Sequence, residues 1–487
     1  MSILVLDVGT TSMRGILYDM TGKKLSVCQL PNHVKFEING WVNESPSDWE
    51  DNTVDIIRSI VADRTVNAEE IEAVAITSQR SSIIPVDKNG TPLMDTIMWQ
   101  DIRNKEICDR LSQNNALCFE RTGARVNSVF SGSKMTWVRK EQPGIYKDVY
   151  KFVNIPEYIN LIMTGEYSSD YTYASRSGLM NLAERKWDPD MLSLYEVDRE
   201  KLCTLREPGQ IAGYTSEEFR TRTGLKAGTP VIHCGGDQQC AAVGQGVTKA
   251  GNVSLVLGTG GFLIAACDRI PENLKNNVIC NASAIAGEYV IEANVLACSA
   301  AFDWFVHQFY GMEQIDYSVT ETELSKEEKV TECLVIPYLK GRGAPDWNAN
   351  AKAVFADVTL ATTRRELFKS LMESIFMELA NHLQNFSDYV KLDKIYVSGG
   401  LTKSAALNQL LSDVLGKEII NHEDKEATAM GACLVAMTGL GHFETVDQAL
   451  HTLKNLSAAK SYLPDMETHA KYEKKREKMN ALYDKLK

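Results

Sequence analysis

The chain has 487 residues and carries 64 acidic against 52 basic side chains, a net charge of −12. At about 100–200 residues per domain this length predicts two or three domains, and a content of 44% hydrophobic and 24% charged residues excludes a wholly disordered, collagenous or coiled-coil chain. The acidic excess speaks against a nucleic-acid partner, which calls for a basic face, and the longest apolar runs, Val253–Leu257 and Phe262–Cys267, fall far short of the roughly 20 residues of a membrane helix, so no membrane partner is expected either.

In chain order, Ser2–Leu6 is apolar and β-branched and reads as a first strand rather than a leader peptide. The turn Asp7-Val8-Gly9-Thr10-Thr11 follows, then a strand Arg14–Tyr18, a hairpin turn at 19–22 and a third strand Lys24–Gln29. Residues 47–66 place Trp49, Val54, Ile57, Ile60 and Val61 at helical spacing, opened by Ser45-Pro46-Ser47. Ile71–Thr77 and Ile83–Val86 are further strands. The second half begins again in the same way, with Gly251–Leu257, the turn Gly258-Thr259-Gly260-Gly261 and a return strand Phe262–Cys267. This weak repeat suggests two related α/β halves, with a boundary in the polar turn 246–252. Helices are expected over 365–390 and Ala405–Leu415, a strand over Lys394–Val397 between them, and a charged helix over 465–487 with Tyr472, Met479, Leu482 and Leu486 on one side. The expected units are therefore 1–247, 248–445 and a helical tail, 446–487. Eleven scattered cysteines without a CxxC pair predict reduced, mostly buried thiols and a cytoplasmic location. Eight histidines without paired spacing predict no zinc site.

Four segments carry candidate chemistry. In the first, Asp7 ends a buried strand, Gly9, Thr10 and Thr11 offer backbone N–H groups and hydroxyls to phosphate oxygens, and Arg14 adds a fixed positive charge. Asp7 could order Mg²⁺, which keeps much of its water; a plain hairpin explains the same residues. The GK[ST] ending of a Walker loop is absent. The second segment is Gly258-Thr259-Gly260, and the third is Ser398-Gly399-Gly400-Leu401 between a strand and a helix, where glycines let a ligand approach the backbone. The fourth is Cys234-Gly235-Gly236-Asp237-Gln238-Gln239. Asp237 reads either as a helix N-cap or as a general base for a substrate hydroxyl.

Together with Phe130-Ser131-Gly132-Ser133-Lys134-Met135-Thr136-Trp137 and the stretch from Val354 to Glu373, these segments resemble the FGGY family of carbohydrate kinases, within the actin-like, ribonuclease-H-like ATPases. The resemblance runs over about residues 3–440. It departs at Val129, where an aromatic or small residue is usual, and at Asp357, where glycine is usual. It implies two ribonuclease-H-like domains around a central cleft, with ATP and Mg²⁺ between them. By the same resemblance Asp7, Thr10, Thr11 and Arg14 face phosphates and metal, and Gly258, Thr259 and Gly260 hold phosphates from the other domain. Gly399, Gly400 and Ser404 lie along the adenosine, and Ser299 and Asp303 line the nucleotide. Asp237 is the base and a second metal-facing carboxylate.

The acceptor site is implied at Gln79, Arg80, Trp99, Asp237, Gln238 and Phe262, which resemble the glycerol-kinase branch. Two partners expected in that branch are missing: Ser81 stands where an acidic residue follows the arginine, and Val129 where a tyrosine precedes Phe130. A lost hydrogen-bonding partner costs roughly 1–3 kcal/mol. Glycerol is therefore expected to be a poor substrate and a ketopentose or related polyol a better one; the GQMHG segment of xylulose kinases is also absent, with TSQRSS in its place. A chaperone-like actin-family ATPase would need no sugar pocket, and a ribonuclease-H-like nuclease would need clustered metal carboxylates and a basic face. A homodimer is the family-level expectation.

Overall fold

The computed structural model describes residues 1–312, 318–324, 330–422, 426–453 and 459–487. The first sheet starts as an antiparallel meander, β1 (Ser2–Val8), β2 (Ser12–Asp19) and β3 (Lys24–Pro31). β4 (Ile71–Ser78) adds in parallel to β1, and β6 (Pro230–Gly236) in parallel to β4. β5 (Ile211–Tyr214) closes the edge antiparallel to β6. β1 is buried along its whole length, which is why its sequence is a continuous apolar run rather than an alternation.

The helix α1 (Pro46–Val61) covers this sheet with Trp49, Ile56, Ile57 and Ile60. It stops five residues before its expected end, because the Asp63 carboxylate takes the N–H and hydroxyl of Thr65 and turns the chain. Residues 79–210 form an insertion between β4 and β5. It has its own core around Ile83, Ile97, Met135, Trp137 and Tyr195 and includes α2 (Ser131–Glu141) and α3 (Tyr171–Ser175). After β6 comes α4 (Asp237–Gln245).

The second sheet repeats the plan. β7 (Val253–Leu257), β8 (Gly261–Cys267) and β10 (Tyr289–Val295) make an antiparallel meander, with β9 (Ile279–Ala282) outside β10. β11 (Ile395–Ser398) adds in parallel to β7 and β12 (Ile419–Asn421) in parallel to β11. The spatial orders β3-β2-β1-β4-β6 and β10-β8-β7-β11-β12 are the same in both halves. The faint likeness of the two Gly-Thr turns is thus one mark of a duplicated ribonuclease-H-like topology, as in the actin-like ATPases.

Around the second sheet lie α5 (Ser299–Phe305), α6 (Arg364–Ser387) and α7 (Ala405–Leu415), whereas α8 (Ala427–Gly439) crosses back to pack on the first sheet, against Ile3, Val5, Ala73, Ala75 and Ile232. α6 begins at a capping box formed by Thr363 and Glu366. The expected tail over 446–487 is more than helix. Lys460–Tyr462 forms β13, antiparallel to β12, and α9 (Met466–Leu486) docks through Tyr472, Met479 and Tyr483. Leu486, expected on that side, is exposed. Ten of the eleven cysteines are buried, Cys28 being the one at intermediate exposure. Among the described residues no helix is long and apolar enough to cross a membrane.

Candidate active site

The site is built where the parallel strands end. β1, β4 and β6 run side by side, so the residues at and just past their C-terminal ends, Asp7, Gln79 and Asp237, reach one edge of the first sheet. Asp7 lies opposite Arg14 in the β1–β2 register. The Arg14 guanidinium reaches Asp7 Oδ2 at 3.1 Å and Glu426 Oε2, in the second half, at 2.9 Å. Burial still pushes the Asp7 carboxyl up to about 6, with Arg14 opposing and the charges of Asp237 and Glu426 adding to the rise.

The turn after β1 is pinned from three sides. Gly9 N–H donates to Ser12 O at 3.0 Å, and Gly9 O accepts from the side-chain amides of Asn32 (2.8 Å) and Gln79 (3.2 Å). The Trp99 indole N–H donates to Thr10 Oγ at 3.2 Å, which joins the candidate phosphate turn to the candidate acceptor wall. Thr11 is exposed.

At the end of β6, Gly235 takes φ +103°, a conformation open to glycine. Its carbonyl accepts from the hydroxyls of Thr77 (2.8 Å) and Tyr173 (2.9 Å), and Gly236 N–H donates to Thr172 Oγ (2.9 Å). Gly236 occupies the cap position of α4 and Asp237 is its first helical residue, so the N-cap reading of Asp237 does not hold. Its Oδ1 accepts instead from the N–H of Gln238 at 2.8 Å. Burial raises the Asp237 carboxyl, while Arg80 and Arg176 pull it down. Arg80 Nε stands 4.0 Å from Asp237 Oδ1, and Arg80 Nη1 donates to Glu292 Oε1 at 3.0 Å.

The second half presents its own turns. Ser299 N–H donates to Gly258 O (2.8 Å) and Cys298 N–H to Thr259 O (2.9 Å), which seats the Gly258–Gly260 turn on the start of α5. Thr259 is exposed. A Cβ on Gly399 would strike the backbone of Leu257, so the turn after β11 lies against the end of β7. Ser299 is buried, and one Asp303 carboxyl oxygen is buried without a partner among the described residues. Phe262 opens β8 and is 39% exposed, a large apolar ring left uncovered. Ser404 is already engaged: it caps α7 by accepting from Leu407 N–H (3.1 Å) and donates to Glu321 Oε1 (2.8 Å).

The structure thus brings Asp7, Thr10, Gln79, Arg80, Trp99 and Asp237 into one connected set, and Gly258, Thr259, Ser299 and Gly399 into another. It adds residues absent from the sequence reading: Glu292, Arg176 and Glu426. Glu292 had a signal, an acid inside the apolar run Tyr289–Val295; Arg176 and Glu426 sit in polar surroundings and had none.

Both halves match models of one family. Residues 2–244 match the FGGY family of carbohydrate kinases, N-terminal domain, and residues 253–440 its C-terminal domain. The chain belongs to the FGGY family of carbohydrate kinases. It is a phosphotransferase with an alcohol group as acceptor and ATP as donor. Similar curated relatives include the glycerol kinase of Thermococcus kodakarensis, 29% identical over 442 residues (89% of this chain, 87% of that one), and that of Coxiella burnetii, 28% identical over 496 residues (99% and 95%). Among solved structures, the gluconate kinase of Lactobacillus acidophilus has a TM-score of 0.91 at 22% identity, covering 100% of this chain and 98% of that one. The Rhodospirillum rubrum xylulose kinase has a TM-score of 0.92 at 21% identity (100% and 99%). At these identities the solved structures show the shared fold.

Proposed function

We propose that this FGGY kinase phosphorylates a hydroxyl of a polyol or ketose longer than glycerol, a ketopentose or related polyol being favoured, with Asp237 as the base. One observation carries the reading. Ser81 Oγ, Gln100 Oε1 and Gln238 Oε1 are buried without partners among the described residues, each next in sequence to a proposed acceptor contact, Arg80, Trp99 or Asp237. Buried polar atoms are normally satisfied, so this wall suits a ligand with several hydroxyl groups. Glycerol kinase activity, named for the curated relatives, is the second reading, and overall sequence similarity supports it.

In this proposal Asp237 accepts the proton of the reacting hydroxyl. Its Oδ1 is tied to Gln238, which fixes the carboxylate plane, and Oδ2 makes neither that contact nor the one to Arg80. Burial makes the carboxylate a better base than a solvated one. Arg80 and Trp99 orient the acceptor, with Gln79, Gln238 and Phe262 completing the wall. The Gly9–Thr11 and Gly258–Gly260 turns hold phosphate oxygens; a Cβ on Gly9 would stand 3.1 Å from Ser12 O, so the turn is tight and held in shape by the hydrogen bonds of Gly9. Gly399, Gly400, Ser299 and Asp303 line the nucleoside side, with Ser404 supporting them as the cap of α7. Asp7 and Asp237, whose charges act on one another, would face Mg²⁺, which would supply charge neutralisation for the phosphates. The lobes are taken as 1–247 and 248–445, with the tail 446–487 touching both: residues 446–453 pack on the first and 460–486 on the second. The same reading places the enzyme in the cytoplasm as a homodimer, and light scattering tests the assembly.

The deciding experiment is an ADP-release assay with glycerol, xylitol, ribitol, D-xylulose, D-ribulose and D-gluconate. A five-carbon compound should give the highest kcat/KM. Preference for glycerol over every longer compound overturns the choice of substrate and leaves the kinase assignment intact.

A further inference from the structure

Glu292 belongs to β10 of the second sheet, yet its carboxylate serves the first half of the molecule. Oε1 accepts from Arg80 Nη1 at 3.0 Å and from Gln239 Nε2 at 3.4 Å, and Oε2 accepts from Arg176 Nη1 at 3.3 Å. The side chains of Arg80, Arg176 and Glu292 are 9%, 13% and 11% exposed. Arg176 also lies over the Phe130 ring at 4.5 Å. The two arginines lower the Glu292 carboxyl against the effect of its burial, so it stands charged between them. The cluster is a three-charge knot at the seam between the halves, and its free edge faces Asp237.

The geometry explains why Arg80 does not close on the base. A buried guanidinium seeks a carboxylate and forms its shortest bonds with one. Two are in reach, and Arg80 makes its hydrogen bond to Glu292 while its Nε stays 4.0 Å from Asp237. Were Glu292 uncharged, Asp237 would be the remaining partner. A direct Arg80–Asp237 pair would occupy the oxygen lone pairs that must take the acceptor proton. It would also swing the guanidinium out of the acceptor wall.

We propose that Glu292 is a positioning residue for phosphoryl transfer: it holds Arg80 and Arg176 off Asp237, and so makes the acceptor site depend on contact with the second lobe. The proposal rests on the reading of Arg80 as an acceptor contact and of Asp237 as the base. Glu292 touches neither substrate.

The test uses the full-length chain with Glu292→Gln, which keeps the shape and removes the charge. With the best acceptor of the panel above, the acceptor KM should rise about tenfold or more while the ATP KM stays within about twofold, a split that marks lost acceptor positioning. Glu292→Asp, which keeps the charge with a shorter reach, should recover part of the loss. In an Arg80→Ala background the Glu292→Gln penalty should shrink to under about twofold, because the two residues act through one contact. Additive penalties, or equal rises in both KM values with a fall in Tm, overturn the proposal. A second arm needs no acceptor. Amide exchange in the 79–82 and 175–178 segments should speed up in Glu292→Gln, with 258–261 unchanged; unchanged exchange at 79–82 also overturns it. If no compound in the panel is phosphorylated, the substrate reading fails and the exchange result still decides the role of Glu292.

Discussion

At the scale of single residues, Asp237, the proposed base, takes its character from its setting. Gly235 and Gly236 bring the chain out of β6 with the Gly235 carbonyl and the Gly236 N–H both hydrogen-bonded, and the helix that follows starts at the carboxylate itself. Asp237→Asn keeps size and hydrogen bonding but loses basicity. It should lower kcat by about 10²–10⁴-fold, the usual contribution of a positioned base, with the ATP KM nearly unchanged in steady-state assays. A variant that keeps more than about a tenth of the rate rules Asp237 out as the base. His233, four residues earlier on β6, has an opposite character. Both ring nitrogens are buried without partners among the described residues, and burial together with Arg206 lowers its pKa to about 4. The unfolded chain titrates near 6.5, so between 6.5 and 4 it binds a proton that the folded chain refuses. The contribution of His233 to stability therefore falls as pH falls through this window, by about 2 kcal/mol between pH 7 and 5, while the raised carboxyls of Asp7, Glu44 and Glu288 act in the opposite sense. His233→Leu should remove that slope, and urea melts at the two pH values measure it. The proposed site residues Asp7, Thr259 and Asp237 stand out in the sequence because they sit beside glycine turns. Glu292 shows in the sequence only as an acid inside an apolar run and Arg176 not at all, because their pairing spans 116 positions of the chain.

At the scale of elements, the strands and their turns follow from local chemistry, while the C-terminal segment depends on what it meets. α7 falls at Ala405–Leu415 as its periodicity predicts, since Ser404 caps it and Gly416 ends it in the left-handed conformation. α9 is different: its sequence is mostly charged, and the expected side with Leu486 is displaced in favour of Tyr483. The reason lies outside the helix. Lys475 is 5% exposed and donates to Glu373 Oε2 (2.6 Å) and Thr331 O (2.8 Å), while the Tyr472 hydroxyl donates to Glu373 Oε1 (3.0 Å). Tyr483 donates to Asp346 Oδ2 at 2.7 Å. A charged helix face thus becomes an interior face because fixed partners await it, and no periodicity rule sees those partners. Lys475→Ala should destabilise the protein by about 3–5 kcal/mol, because it leaves the fully buried Glu373 carboxylate unpaired. Adding Glu373→Gln to Lys475→Met removes both charges and keeps an acceptor for Tyr472. That double variant should recover at least about half of the loss, as read in urea unfolding. A single variant within about 1 kcal/mol of wild type would mean the pair is solvated, contrary to its burial.

At the scale of the whole molecule, the duplicated topology places α4 and α8 at equivalent positions, each following the second parallel strand of its sheet, and the two helices cross at the junction of the halves. The crossing is unusually close. A Cβ on Gly244 would collide with the carbonyl of Ala427, and a Cβ on Gly431 with the carbonyl of Cys240. The contact is reciprocal, one glycine from each helix against the backbone of the other. α4 begins at Asp237, and Glu426, the partner of Arg14, directly precedes α8. The crossing therefore sets the distance between the proposed base and the proposed phosphate-binding arginine. Gly431→Ala separates the possible effects. Helix propensity alone favours alanine by about 1 kcal/mol, and overpacking against backbone costs about 1–3 kcal/mol or more. The backbone carbonyl of Cys240 cannot rotate away as a side chain can, so overpacking wins and Tm should fall. The shift must also pass into the site, since a displacement of about 1 Å at a reacting group can cost about 10²-fold in rate. Gly431→Ala should therefore lower kcat at least about tenfold at a temperature where the variant is still fully folded. Gly144, in the surface helix Pro143–Asp148, is the control: a Cβ there meets nothing within 4 Å, so Gly144→Ala should leave kcat unchanged and raise Tm slightly. Equal behaviour of the two alanine variants, in Tm by calorimetry and in kcat by ADP release, would show that the crossing does not position the site.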